Sequence, residues 1–393
     1  MEREASKERK VGRRPLRILH LVGATEDTGG ILTVIRNLQE ATRAAGCAHV
    51  VLNHASYRER RKPSLDCRFS RHFLGESPSH WRLFVGAARA LPELRRLLRS
   101  EPFHALHGHS RGALVLAVLA RRLLHPAVLF TNHTYGRRRG MYRWAARRGG
   151  ITTVLLTPNM ARYYGIDPRP GRVEFVTDSC DDRYFEIPLA ARRDWAASPP
   201  VRLIGLGSVE RWKKWDLLLK AFARLEPQVR NRLRFDHWGL VLQTDSSRAY
   251  RRELEETLRR EGLGEQCRFH GMSLAVEEEL RKADVFVLPS TNEPCSVALG
   301  EALALGMPAV VSRSGGNVDI VQDGKTGLLF TPDDPDDLAR ALRRIALGEI
   351  TFVPPEAIRE SVRFRKASEV ARRYLAIYER LKAGRSGEER QRN

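Results

Sequence analysis

The chain has 393 residues, 42% hydrophobic and 29% charged, and carries a formal net charge of +21. That length exceeds what one hydrophobic core usually holds, and the apolar content excludes wholesale disorder and a fibrous repeat, so about two domains are expected. The longest apolar run, residues 113–120, stops at Arg121 and falls short of the roughly 18 residues that span a bilayer.

Residues 1–14 are charged throughout and lack an apolar stretch, so they read as a disordered basic tail and not as a secretory leader. Leu16–Val22 reads as a buried strand, residues 23–30 as a glycine-bearing loop and residues 31–45 as an amphipathic helix. Strands are expected at His49–Leu52, Ala105–His109 and Ala127–Thr131, and helices at Trp81–Leu98 and Gly112–Leu124. Residues 181–200 mix charges, alanines and a Pro-Pro pair, which suits a linker. The pattern then restarts with strand Val201–Gly207, helix Asp216–Leu225, strand Leu233–Leu242, helix Arg248–Glu261 and strand Ala283–Leu288. Helix Val297–Leu305, strands Ala309–Val311 and Gly327–Phe330, helix Pro335–Leu347 and a last helix Ser368–Leu381 follow.

Alternating strands and helices of these lengths predict an α/β fold of two Rossmann-like, doubly wound domains facing each other across a cleft. Residues 15–185 form the first domain and 186–365 the second; residues 366–393 are a helix and polar tail placed to pack back on the first domain. Ligands of such sheets bind at the carboxyl ends of the strands, here inside the cleft.

Five cysteines at positions 47, 67, 180, 267 and 295 make no metal-type spacing and are odd in number, so neither a disulfide framework nor structural zinc is expected, and the compartment is read as the reducing cytoplasm. Charge is uneven. Residues 1–180 hold 32 Lys+Arg against 14 Asp+Glu, while the remainder is close to balance. A surplus of that size suits an anionic partner, whether nucleic acid, an anionic membrane surface or a phosphorylated acceptor; arginine enrichment on solvated helix faces explains it equally well. Arg137-Arg-Arg139, with Tyr142 and Trp144, is a candidate rim for such a partner.

The chemistry concentrates in residues 289–308, Pro-Ser-Thr-Asn-Glu-Pro-Cys-Ser-Val-Ala-Leu-Gly-Glu-Ala-Leu-Ala-Leu-Gly-Met-Pro. A buried strand ends at Leu288, a polar loop carries Glu293, and a helix opens near Ser296, whose unpaired N–H groups and partial positive charge suit a diphosphate. Glu301 lies eight positions beyond Glu293; two acceptor-only carboxylates so placed suit hydroxyls at opposite ends of a ligand with phosphate between them. Asn317 and Asp319 follow Gly315-Gly316 on a second polar loop at the same sheet edge.

These residues resemble glycosyltransferase family 4, retaining enzymes of the GT-B architecture. The resemblance runs in order through Thr28-Gly-Gly-Ile31, His107-Gly-His109, Thr131-Asn-His133, Ser208–Leu218, Phe269-His-Gly271, the two glutamates, Gly315–Val321 and Asp323–Leu329. It implies transfer of a sugar from a nucleotide diphosphate sugar to an acceptor hydroxyl, with no cofactor and no required metal. By the same resemblance the first domain holds the acceptor, a glycan or lipid-linked molecule, and the second holds the nucleotide sugar.

Position by position, the resemblance gives Glu293 the donor sugar hydroxyls and Glu301 the nucleotide ribose. The N–H groups of Ser296 and Val297, with Lys213, would hold the diphosphate, and Gly29 and Gly30 would admit close backbone approach. His133 would face the transferred sugar, and the backbone around Gly271 and Met272 would meet the base. Glu293, His133 and Lys213 are thus the catalytic candidates. Three departures stand out: Ser208 replaces the family's usual arginine, which leaves Arg211 as the candidate guanidinium; Cys295-Ser296 replaces Phe-Gly; and Thr177-Asp-Ser-Cys-Asp181 replaces the usual Asn-Gly-Val-Asp.

Blander readings stand beside several of these. Asp333–Asp337 looks like a metal cluster but suits a helix cap with an acidic first turn, Trp212 and Trp215 suit packing, and His107 and His109 suit the core as well as a site. A GT-B-fold sugar-nucleotide epimerase and a non-catalytic nucleic-acid binder are the alternative functions; the chain lacks recognisable nucleic-acid-binding signatures, and no nucleic-acid partner is expected.

Overall fold

The computed structural model describes residues 16–392; the tail read at 1–14 lies outside them. Two parallel sheets organise the chain. The first has seven strands: β1 (Arg17–Leu21), β2 (Ala48–His54), β3 (Asp66–Ser70), β4 (Ala105–Gly108), β5 (Val128–Asn132), β6 (Thr152–Leu155) and β7 (Val173–Phe175). They lie in the order β3-β2-β1-β4-β5-β6-β7. The second has six: β8 (Val201–Leu206), β9 (Leu233–Trp238), β10 (Cys267–Gly271), β11 (Val285–Leu288), β12 (Ala309–Ser312) and β13 (Gly327–Phe330), ordered β10-β9-β8-β11-β12-β13. Both orders reverse direction beside their first strand, between β1 and β4 and between β8 and β11, which opens a crevice at each sheet's carboxyl edge. This is the two-domain doubly wound architecture expected from the sequence.

The central strands are nearly continuous apolar runs because helices cover both faces; β11 (Val-Phe-Val-Leu) is fully buried. Side-chain caps start several helices. Ser79 accepts from Arg82 N–H, Ser110 from Ala113, Thr244 from Ser247, and Asp334 from both Asp336 and Asp337. The acidic run 333–337 is therefore a helix start: Asp337 also accepts from Thr331, and Asp333 pairs with Lys214.

Some expected bounds move. The strand read as Leu233–Leu242 ends at Trp238, where Gly239 N–H turns to the Gly271 carbonyl. The last helix runs Ala367–Arg392, well past Leu381. Its Val370, Tyr374, Ile377 and Tyr378 are buried against Ile18, Leu38, Ala105 and Leu129 of the first domain. The chain thus crosses between domains twice, and the crossings are stitched together. Cys180 N–H donates to Arg365 O and Ala367 N–H to Cys180 O, each at 2.8 Å. Among the described residues no helix is long and apolar enough to cross a membrane.

Candidate active site

The loop after β11 is built to hold Glu293 still. Asn292 adopts a left-handed φ of 57° just before it. The Gly315-Gly316 turn packs directly behind: a Cβ at Gly316 would sit 2.0 Å from Pro294 O, and Gly316 N–H donates to Glu293 O at 2.7 Å. The Glu293 side chain is buried, and its Oε2 accepts from Lys213 Nζ and from Ser290 Oγ, both at 2.8 Å. Lys213 arrives from the loop after β8 and lies over the Trp212 ring, 4.1 Å from its centroid. Two strands flanking the sheet's switch point thus deliver one charge-assisted pair.

Behind Glu293 the helix Val297–Ala304 begins. Ser296 caps it, its Oγ accepting from Leu299 N–H at 3.1 Å, so the serine that stands in the family's glycine position retains a helix start. The other first-turn N–H groups have no intrahelical partner. Facing them across the cleft is the first domain's glycine loop. An added Cβ at Gly30 would lie 3.5 Å from Val297 Cγ2, whereas Gly29, at φ 83°, has open space beside it.

Glu301 sits further into the helix, 9% exposed. Burial pushes its carboxyl up to about 7, against the opposing pull of the Arg183, Arg365 and Arg61 guanidiniums. The structure therefore brings together Lys213, Glu293, Ser296, Val297, Glu301, Gly29 and Gly30.

It separates others. Arg211 does not join this group: its guanidinium pairs with Glu253 and lies over the Tyr250 ring. Ser208 Oγ turns to Glu210 Oε2 at 2.6 Å. Gly271 lies at the end of β10 with its carbonyl taken by Gly239 N–H, and Met272 is exposed beside it. His133 differs most from expectation. Its Nε2 contacts His109 Nδ1 at 3.1 Å and its Nδ1 lies 3.4 Å from Asp178 Oδ1, so the ring is held among groups of the first domain. Trp215 is core, whereas Trp212 is 41% exposed. Among the described residues, His20, His107 and His109 bring ring nitrogens within 4.8 Å of one another.

Two side chains, Asp27 and Ser290, and the cross-cleft contact of Asp319 escaped the sequence reading. Asp27, in the glycine loop, receives both Arg36 guanidinium nitrogens at 2.9 Å and the N–H groups of Arg60 and Arg61. Burial alone would raise its carboxyl; the Arg36 guanidinium and those N–H groups outweigh it and hold the group at about 2. Asp319 reaches across the cleft, accepting Asn159 N–H at 2.7 Å at the start of the Pro158–Tyr164 helix. Ser290 supports Glu293. An aspartate inside a glycine loop, followed nine residues later by an arginine on the next helix, is a legible signal for the first; the Asp319 contact depends on long-range packing, and the Ser290 contact on the local turn of the loop after β11.

Comparison with known proteins agrees with this geometry. Residues 192–362 match the family model described as glycosyl transferases group 1, and residues 29–149 match the glycosyl transferase 4-like domain. A D-inositol 3-phosphate glycosyltransferase of Geodermatophilus obscurus is 36% identical over 47% of this chain and 42% of its own length. The lipopolysaccharide core biosynthesis mannosyltransferase LpsB of Rhizobium meliloti is 25% identical over 63% of this chain and 73% of its own. The chain spans about half or less of the length of the inositol phosphate relatives it matches. Among solved structures, a sucrose-phosphate synthase from Thermosynechococcus elongatus superposes with a TM-score of 0.70 at 21% identity, covering 96% of this chain and 98% of that one. Anabaena HepE, solved with UDP and glucose, gives 0.65 at 16% identity over 95% and 100%. These last two establish the fold.

Proposed function

The chain belongs to glycosyltransferase family 4, the glycosyl transferases group 1 family, and from that premise we propose that it is a retaining transferase moving a sugar from a nucleotide diphosphate sugar to an acceptor hydroxyl. The observation that carries this reading is the buried Lys213–Glu293 pair beside the Val297–Ala304 helix start, opposite Gly29-Gly30, with Glu301 beyond. An elongated ligand with hydroxyls at both ends and phosphates between them fits that order of groups. Glu301 as carboxylate accepts the ribose hydroxyls, the helix N–H groups and Lys213 take the diphosphate, and Glu293 orients the sugar.

As the glycosidic bond breaks, negative charge grows on the diphosphate, and N–H groups already aimed there strengthen their hold without reorganising. The acceptor hydroxyl attacks from the face the diphosphate leaves, and its proton passes to the departing phosphate oxygen. No side chain is needed as nucleophile. The helix start and Lys213 supply the positive field, so the reaction is expected to survive chelation of divalent metal.

For the acceptor we propose a phosphorylated or lipid-linked glycan met by the basic first domain, for cell-surface polysaccharide or glycolipid synthesis on the cytoplasmic membrane face. The names of the relatives, an inositol phosphate glycosyltransferase and a lipopolysaccharide mannosyltransferase, support an anionic acceptor. So does the surface. Trp81 and Phe84 are exposed on the His80–Ser100 helix, and Arg138 reaches His80 at its start, which sets Arg137–Arg139 beside those rings. Aromatic rings among arginines suit an anionic bilayer.

Thermal unfolding of the purified protein with a panel of UDP-, GDP- and ADP-sugars tests the donor site. One nucleotide class is expected to raise the Tm, and Glu301→Ala to abolish the rise. Absence of stabilisation by every donor, together with unchanged transfer in Glu293→Ala, would end this reading.

A further inference from the structure

Four histidines of the first domain form a continuous chain of ring-nitrogen contacts. Starting beneath the far side, Thr42 Oγ1 contacts His49 Nε2 at 2.9 Å, His49 Nδ1 contacts His20 Nε2 at 2.8 Å, and His20 Nδ1 contacts His109 Nε2 at 2.9 Å. His109 Nδ1 then meets His133 Nε2 at 3.1 Å, and His133 Nδ1 faces Asp178 Oδ1 at 3.4 Å. That carboxylate oxygen is buried and has no hydrogen-bond partner, an orphan acceptor facing the end of the chain. Both ring nitrogens of His49, His20 and His109 are used once, His133 is linked through Nε2, and every ring-to-ring contact joins the Nδ1 of one ring to the Nε2 of the next.

A neutral imidazole donates through one nitrogen and accepts through the other, so the first proton placed fixes all the rest. Burial holds His20 and His109 well below the ordinary histidine range and His49 at about 4, so these rings are neutral near pH 7. With Asp178 ionised, His133 donates from Nδ1, then His109, His20 and His49 in turn, and Thr42 donates to His49. With one more proton, all four rings carry Nε2–H, the added proton lies between His133 Nδ1 and Asp178, and Thr42 donates instead to Leu38 O, which stands 2.7 Å away. Both arrangements keep every ring-to-ring contact hydrogen-bonded, and they differ by one proton.

We propose that Thr42, His49, His20, His109 and His133 form a proton relay that couples the charge at Asp178, beside the cleft, to solvent on the opposite side of the first domain. The outer end lies close beneath the surface: Thr42 is itself buried, and its neighbours Arg43, Cys47 and His49 line a surface cavity of about 360 Å³ with Gln39, Gly46 and Asp66. The inner end has a target. Arg365 donates to both Asp178 O and Ser296 O, tying the relay's end to the cap of the diphosphate-facing helix. A proton entering at Thr42 displaces one proton per ring and arrives at Asp178 without any group crossing the core.

Other titratable groups flank the chain and do not interrupt it. His107, equally buried, is held between Tyr378 OH and Thr131 Oγ1, both at 2.8 Å, and belongs to no link. Tyr374 and Tyr378 from the last helix are pushed up by burial and stay protonated, as do Cys47, Cys180 and Cys295. The Arg365 guanidinium keeps its charge near Asp178.

Nitrogen-15 histidine NMR on the full chain tests the wiring with no ligand present. At pH 8 His20, His49, His109 and His133 are expected as Nδ1–H tautomers, the reverse of an isolated imidazole's preference. On acidification all four should acquire Nε2–H at one shared midpoint, while His107 keeps its tautomer. In His20→Asn, His49 should cease to follow His133. Mixed tautomers among the four at pH 8, separate midpoints, or stoichiometric metal in the purified protein would overturn the relay. If His20→Asn fails to fold, the wild-type titration decides alone.

Discussion

The two sheets share one strand order, yet their interiors differ. Around β8 and β11 the second sheet is filled by Leu203, Ile204, Val285 and Phe286, and its chemistry sits entirely on loops at the carboxyl edge. Around β1 and β4 the first sheet buries His20, His107 and His109, with His49 beside them on β2, whereas the second buries the single imidazole of His237 on β9. An apolar interior makes a rigid platform that holds Glu293 and the helix start in place. An interior of linked imidazoles is costly unless each nitrogen is paired, and here the pairing runs the full depth of the domain. One fold thus supports a fixed anion platform on one side of the cleft and a polar, protonatable wall on the other.

Breaking the platform should have the largest effect. Glu293→Ala and Lys213→Ala each leave the other charge buried and unpaired, and are expected to lower kcat/KM by about 10²–10³, read by product formation with the donor found in the thermal screen. Breaking the first domain's loop comes next. Asp27→Asn should cost about 2–4 kcal/mol at pH 7 in denaturant unfolding, because the paired carboxylate is lost. Since the folded Asp27 pKa is depressed to about 2 from 3.8, that contribution is present above the unfolded value and disappears as pH falls through about 2.

Glu301 has the opposite sign. Its folded pKa of about 7 exceeds the unfolded 4.5, so its contribution is full below pH 4.5 and is lost as pH rises through 7. Glu301→Gln should therefore be more stable than the wild type at pH 8, by roughly 1–3 kcal/mol, and not at pH 4.5. Donor affinity in the wild type should rise between pH 6 and 8 as the carboxylate forms; calorimetric titration reads it. On the outer surface, each arginine removed from Arg137–Arg139 should weaken sedimentation with phosphatidylglycerol vesicles about fivefold, and leave phosphatidylcholine binding unchanged. The smallest effect belongs to Arg211→Ala, whose exposed pair with Glu253 should change stability by roughly 0.5 kcal/mol or less.

The second domain was the more legible in sequence because its strands are apolar and its site is contiguous: Glu293, Ser296, Val297 and Glu301 lie within nine residues, and helix geometry does the rest. Three of the four edge strands were missed. β3 (Asp-Cys-Arg-Phe-Ser), β7 (Val-Glu-Phe) and β10 (Cys-Arg-Phe-His-Gly) are short and half solvated, so they lack the continuous apolar run that marks a central strand. β6 begins Thr-Thr, which breaks the apolar run, and it is not among the expected strands although all four of its residues are buried. Arg211 looked suitable by spacing alone; Glu253, some forty residues away on another helix, captures it, and no local pattern reports that. The same holds for His133, whose partners come from β4 and from the crossing at Asp178.

That crossing has a mechanical consequence. Two separate strands of backbone bridge the halves, and both pass through the bonds linking Cys180 with Arg365 and Ala367. Two parallel tethers at one edge behave as a door hinge: they permit the gap to swing wider or narrower but resist sliding or twisting of one half over the other. A single backbone nick in either tether would leave the halves joined by its neighbour, and the terminal helix would keep travelling with the lobe on which it rests.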